Sequence, residues 1–131
     1  MKIFSKLIYP DLSYKINGVL FAVHNELGKF RNEKQYCDGI ESHFKDLNIS
    51  YKRELILPPS FEKEFSGRNR TDFIVEDKII LEIKTKRFLA REDYYQIKRY
   101  LIALNKKLGI IVNFRKNFLE PKRILNSSAP E

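Results

Sequence analysis

The sequence predicts an α/β fold, one mixed β-sheet flanked by α-helices, and three observations carry that expectation. Two segments of helical period come first, at residues 13–27 and 32–47. Two β-rich runs, 70–76 and 78–86, then meet across a polar turn at Asp77-Lys78, as the strands of a hairpin do. Last, a helical stretch at 91–105 leads into the apolar run 108–114, and a strand–helix–strand unit of this kind makes a parallel crossover.

In the first helix Ile16, Val19, Leu20, Val23 and Leu27 fall on one face, with Asp11 or Ser13 as the cap and Gly28 as the stop. The second helix carries Tyr36, Ile40, Phe44 and Leu47 on one stripe and has Glu33 in its first turn. Residues 51–57 read as a strand ended by Pro58-Pro59, and the polar stretch 60–69, containing Gly67, as a loop or irregular hairpin. The third helix buries Ile97, Leu101 and Leu104; the run 108–114 reads as a buried strand and 119–125 as a last edge strand. A loose tail is expected from residue 126. Residues 1–131 together make one domain.

A hydrophobic share of 43% with 13% aromatics excludes wholesale disorder. Cys37 is the only cysteine, which excludes an intrachain disulfide and a multi-cysteine zinc site, and two histidines leave little for an all-histidine centre. Lys6 and Pro10 interrupt the opening MKIFSKLIYPDL, so no signal peptide is expected, and no apolar run approaches the ~18 residues of a membrane span. A soluble, cytoplasmic protein without a membrane partner is expected.

The charge is uneven. Residues 84–123 hold twelve basic side chains against three acids, while the rest of the chain holds 13 against 14. A basic half beside a near-neutral one suits a polyanion, because each Lys or Arg at a phosphate releases condensed counterions. Lys86, Arg87, Arg91, Lys98 and Arg99 are the candidate nucleic-acid-binding residues; Tyr94 and Tyr95 beside them either stack on the bases of a single strand or, for one of them, pack in the core. Three alternatives stay open: a merely solvated surface, a protein partner and an oligomer.

Asp72, Glu82 and Lys84 interrupt two strands that are otherwise apolar at nearly every position. A turn centred on Asp77 puts Asp72 directly across from Glu82, with Cβ atoms ~5 Å apart, where like charges repel; a two-residue turn at Asp77-Lys78 makes them diagonal neighbours instead. Lys84, two residues beyond Glu82, projects from the same face. A hard divalent cation such as Mg²⁺, which prefers carboxylate oxygens, turns that repulsion into a site, and the lysine can then act on an attacking water. An ordinary ion pair is the plainer reading. His24 and Tyr36 are expected to pack rather than react, and Cys37 to be a small buried side chain.

These residues resemble the core motif of the PD-(D/E)xK nuclease superfamily, as Asp72 and Glu82-Ile83-Lys84, with Thr71 where the name has proline. Glu33 matches a helical carboxylate of many members, and Gln96 with Tyr100 resembles the Q-x3-Y motif of the RecB-like ones. A closer resemblance is to the small bacterial GxxExxY proteins. It runs from about Leu7 to Asn126 through INGVLFAVHNELG, RTDFIVEDKIILEIKT and GIIVNF, with Glu33 and Tyr36 kept and Phe30 in the place of the naming glycine. The resemblance implies a restriction-endonuclease-like fold and Mg²⁺- or Mn²⁺-dependent hydrolysis of phosphodiester bonds in DNA, in repair, recombination or processing. It implies Glu33, Asp72 and Glu82 as metal ligands, Lys84 acting on the nucleophilic water, and Gln96 and Tyr100 bracing the site or contacting the phosphate. The rival is a non-catalytic nucleic-acid-binding or protein-interaction module on the same fold.

Overall fold

Pro10 opens the first helix, earlier than the expected residue 13, because the first helical position needs no N–H. In the computed structural model, which describes residues 7–131, this helix is α1, Pro10–Leu27. Residues 1–6, half of the opening stretch read as unlike a signal peptide, lie outside the described residues. Ser13 does not cap α1 but donates its hydroxyl to Tyr9 O at 2.8 Å. Gly28 ends the helix at φ 75°, a conformation that favours glycine, and its N–H donates to His24 O.

Asn32 starts α2, Glu33–Asp46, through a reciprocal cap: its side chain accepts from Gln35 N at 2.9 Å, and Gln35 Oε1 accepts from Asn32 N at 3.0 Å. That cap fixes Glu33 in the first turn. The remaining elements are β1 Tyr51–Ile56, β2 Arg70–Val75, β3 Ile79–Lys84, α3 Arg91–Leu104, β4 Leu108–Asn113 and β5 Lys122–Leu125. The last strand begins only after Pro121, which has no N–H to give a ladder. Beyond it Asn126 is buried, with its N–H on Lys107 O and its side-chain amide on Lys106 O.

The sheet order is β1-β2-β3-β4-β5, with β3 and β4 parallel and the other neighbours antiparallel. This is a mixed sheet with a helix-linked crossover, consistent with the restriction-endonuclease-like fold. Alternation divides β3 between two cores. Ile79, Leu81 and Ile83 join Phe73, Val75 and the β4 residues Leu108, Ile110 and Val112 under α1 and α2. Ile80 joins Ile111 and Leu57 under Ile97, Tyr100 and Leu101 of α3. The central strand is therefore covered on both faces, which is why its apolar run is nearly unbroken. Among the described residues no helix is long and apolar enough to cross a membrane.

Gly109 sets how closely α3 approaches the sheet. A Cβ there would lie 2.7 Å from Ile97 Cδ1 and 3.0 Å from its Cγ1. Gly109→Val should therefore push α3 off β4 and destabilise the protein by about 1–3 kcal/mol, as overpacking does. Urea unfolding followed by circular dichroism measures this, and an unchanged midpoint would contradict the close approach.

Candidate active site

β2 and β3 pair as Phe73 with Leu81, Ile74 with Ile80 and Val75 with Ile79. The turn between them is Glu76-Asp77-Lys78, with Glu76 and Asp77 both left-handed, at φ 54° and 55°. This is the register in which Asp72 falls opposite Glu82, and the ladder stops just short of that pair. In its place Asp72 N–H donates to Glu82 Oε2 at 3.1 Å, and Ile83 N–H donates to Asp72 Oδ2 at 2.7 Å. Pairing between β1 and β2 is broken at the same level. Arg53 faces Phe73 and Leu55 faces Thr71, but Glu54 between them is left-handed, at φ 54°, and unpaired. β3 stays paired with β4 through Lys84. The sheet thus forks at Asp72, and each carboxylate accepts a hydrogen bond from the backbone of the opposite strand.

Glu82 is only 4% exposed. Burial pushes its carboxyl well above the usual carboxylate range; the neighbouring Asp72 raises it further, while Asp72 N–H and Lys84 pull it partly back. Burial and the neighbouring Asp72 therefore favour the protonated form of Glu82 when no cation is present. Glu33 stands on the exposed first turn of α2. Its carboxyl is raised first by desolvation and then by Asp72, and is lowered by Lys84 and by the Thr85 N–H aimed at it. Cys37, one turn after Glu33, is buried; desolvation and then Asp72 push its thiol up, so it stays protonated and unreactive.

Lys84 leaves the sheet on the α3 side, as alternation expects. Its Nζ donates to Gln96 Oε1 at 3.2 Å and lies 3.9 Å from Asp93 Oδ1. Gln96 thus has a defined partner within the site. Tyr100, one turn on, is buried in the α3 core; desolvation raises its hydroxyl, and the charge of Glu82 raises it further. Two residues that the motif search passed over complete the wall. Asp93 is buried and accepts from Lys86 Nζ at 2.8 Å and from Ala90 N at 2.7 Å. Burial alone would raise its pKa, but Lys86, the Ala90 N–H and Lys84 together hold it below the ordinary value. Asn113 pairs in register with Lys84 and binds the next loop, taking Lys86 N–H at 3.0 Å and giving its amide to Lys86 O at 2.7 Å. A buried asparagine ending the apolar run LGIIVN was the signal available in the sequence.

The basic candidates divide. Lys86 is engaged by Asp93, whereas Arg87, Arg91, Lys98 and Arg99 are exposed, the last three along α3. Tyr94 packs against the α3 core and Tyr95 is exposed. His24 packs as expected, edge-on to Phe114 with Nε2 2.9 Å from Lys116 O. Tyr36 is buried and stacked on Phe114.

The donor set fits a hard divalent cation, since two oxygen-ligand side chains meet at the fork and a cation there would offset the burial of the Glu82 charge. The three-acid set is not closed, however: among the described residues no three His, Cys, Asp or Glu side chains gather closely enough to hold an ion. Asp72 and Glu82 are brought together, and Glu33 stands on α2, near enough for Asp72 and Lys84 to act on its carboxyl.

One family model, described as the PD-(D/E)XK nuclease superfamily, matches residues 10–124. Searches of the curated proteins and of the solved structures gave no match.

The raised Glu82 carboxyl makes a signed prediction. Below the usual glutamate value of 4.5 the group is protonated in both folded and unfolded chains and has no effect. As pH rises from there toward the raised folded value, the unfolded chain ionises first and stability is lost. In metal-free protein Glu82→Gln should remove that loss, adding about 1 kcal/mol or more at neutral pH and flattening the pH dependence. Denaturant titrations from pH 4 to pH 8 (about the range over which a raised carboxyl titrates) measure it. Parallel profiles for the two proteins would rule it out.

Proposed function

The chain belongs to the PD-(D/E)XK nuclease superfamily, and we propose that its forked acid pair is the centre of a nuclease that hydrolyses phosphodiester bonds in DNA. The observation that best supports this is the meeting of Asp72 and Glu82 at a break in the sheet, with Lys84 held beside them by Gln96. A bound Mg²⁺ or Mn²⁺ supplies Lewis acidity at the phosphate and lowers the pKa of a bound water. Asp72 and Glu82 are the residues that hold it, and Glu33 is the further acid of the set. Lys84 presents its ammonium to the water and to the charge that develops on the phosphate oxygens. Gln96 fixes where that ammonium points, and Tyr100 backs Glu82 from the α3 core. Arg87, Arg91, Lys98 and Arg99, with Lys86 behind them, follow the phosphate backbone.

The finer family reading is the GxxExxY group, supported by Glu33 and Tyr36 at the head of α2. The structure supplies a reason for that spacing: Tyr36 Oη donates to Gly28 O and accepts from Arg31 N at 3.2 Å, so the tyrosine closes the loop that delivers the glutamate. The setting that suits this activity is DNA repair, recombination or processing in the cytoplasm. A second reading, a nucleic-acid-binding module without chemistry, draws support from the structural service the acids already perform at the fork.

A cleavage screen over single-stranded, linear, nicked and branched DNA with Mg²⁺ and Mn²⁺ separates the two. Asp72→Asn keeps the acceptor that Ile83 N–H needs but removes the charge, and should reduce cleavage by about 100-fold or more. Lys84→Ala should lower cleavage comparably while leaving oligonucleotide affinity within about twofold, because one lysine adds little to a surface this basic. No cleavage of any substrate, or equal rates for wild type and Asp72→Asn, would leave only the binding module.

A further inference from the structure

Three loops converge beyond the Lys84 end of β3, and each exposes a phenylalanine among cations. Phe30 in loop 28–32 is 80% exposed, Phe88 in loop 85–90 is 66% exposed and Phe118 in loop 114–121 is 83% exposed. The three loops contain six Lys and Arg residues and one acid, Glu120, which pairs with Lys122 at 3.3 Å. They touch one another. Lys29 Nζ donates to Asn117 Oδ1 at 2.5 Å and lies 5.3 Å from the Phe30 ring centroid. Lys116 Nζ lies 4.8 Å and the Arg87 guanidinium 5.6 Å from the Phe88 centroid.

Each loop is also anchored from beneath: loop 28–32 by Tyr36, loop 85–90 by Asn113, and loop 114–121 by His24 at Lys116 O and by Asn113 at Arg115 N. The rings are thus held on braced loops in solvent, where hydration disfavours them unless something covers them. Their position adjoins the site, since Phe30 precedes Glu33 by three residues and Phe88 follows Lys84 by four.

We infer that this aromatic and basic rim binds single-stranded nucleic acid, with unpaired bases stacked on Phe30, Phe88 and Phe118 and phosphates on the interleaved cations. The inference rests on the nuclease reading of the adjoining acids and names the form of its substrate. Duplex DNA fits poorly, because its bases are already stacked and it would set phosphates against the rings. A single strand offers both partners at once, a π-face for each ring and a phosphate for each cation. A second copy of the chain fits poorly as well, because it would set the same six cations against themselves.

The test is fluorescence anisotropy in EDTA, so that binding is read without cleavage. The probes are an oligothymidylate, an abasic strand of equal length and a duplex. Wild type should bind the oligothymidylate most tightly. The combined Phe30→Ala, Phe88→Ala and Phe118→Ala variant should lose about tenfold or more on it, yet no more than about twofold on the abasic strand. The rings are exposed, so the variant should melt as the wild type does.

Equal affinity of wild type for the oligothymidylate and the abasic strand would overturn the inference, as would equal losses on both. Phenylalanine-dependent capture by phosphatidylserine vesicles, with oligothymidylate binding unaltered, would assign the rim to a membrane surface instead. A protein that binds as expected but cuts nothing overturns the nuclease alone. One that cuts, but binds strands without using the rings, overturns this inference alone.

Discussion

Two carboxylates face each other inside a sheet that is covered on both sides, and much of the structure around them answers that placement. Ionised and unpaired, they would be strongly unfavourable there. The strands part at this point, so the backbone N–H groups of Asp72 and Ile83 lose their place in a ladder, and the carboxylates supply the acceptors. A carboxylate acceptor compensates a buried N–H well. The acids therefore hold together the opening that they cause. Any chemistry at this place has to preserve those two hydrogen bonds, which makes Asn and Gln the informative replacements rather than Ala.

The surrounding fold keeps the opening local. On one side of the fork β3 remains bonded to β4 through Lys84 and Asn113, and on the other β1 rejoins β2 at Leu55 and Ile56. The parallel β3–β4 pair requires a crossover, and α3 provides it, lying close to the sheet over Gly109. This same helix carries Gln96 and Asp93 to the Lys84 ammonium. One connection thus closes the second core and sets the position of the lysine.

The second helix contributes from the other layer. Its cap at Asn32 and Gln35 fixes the first turn, Tyr36 locks the preceding loop, and Glu33 comes to the end of the sheet, where Thr85 N–H and Asp72 both act on it. Burial and the neighbouring acids keep Cys37 protonated. The chain as a whole carries +8, yet this one spot concentrates negative charge. On the proposed nuclease reading, the acid pair holds a cation inside a surface that binds phosphates, an arrangement suited to cutting a polyanion.

The order of the elements was legible from residues alone, because period, turn residues and caps are local properties. The approach of Asp72 to Glu82 was legible for the same reason, but the sequence allowed two registers, opposite or diagonal, and only the folded turn Glu76-Asp77-Lys78 selects the first. The fork was not, because it depends on what β1 and β4 do on either side, and no local pattern reports that. Nor was the choice of Gln96 and Asp93 as partners of Lys84, which follows from how far α3 sinks over Gly109. Where Glu33 stands relative to the other two acids was not legible either, because it depends on how α2 packs on the sheet. Phe30, Phe88 and Phe118 are 88 residues apart from first to last, and only the docking of three loops on one another makes them neighbours. The sequence by itself determined which residues share a strand face or a helix turn, since those relations lie within one element. The tertiary structure alone decided which elements meet, since that depends on contacts between parts of the chain far apart in number.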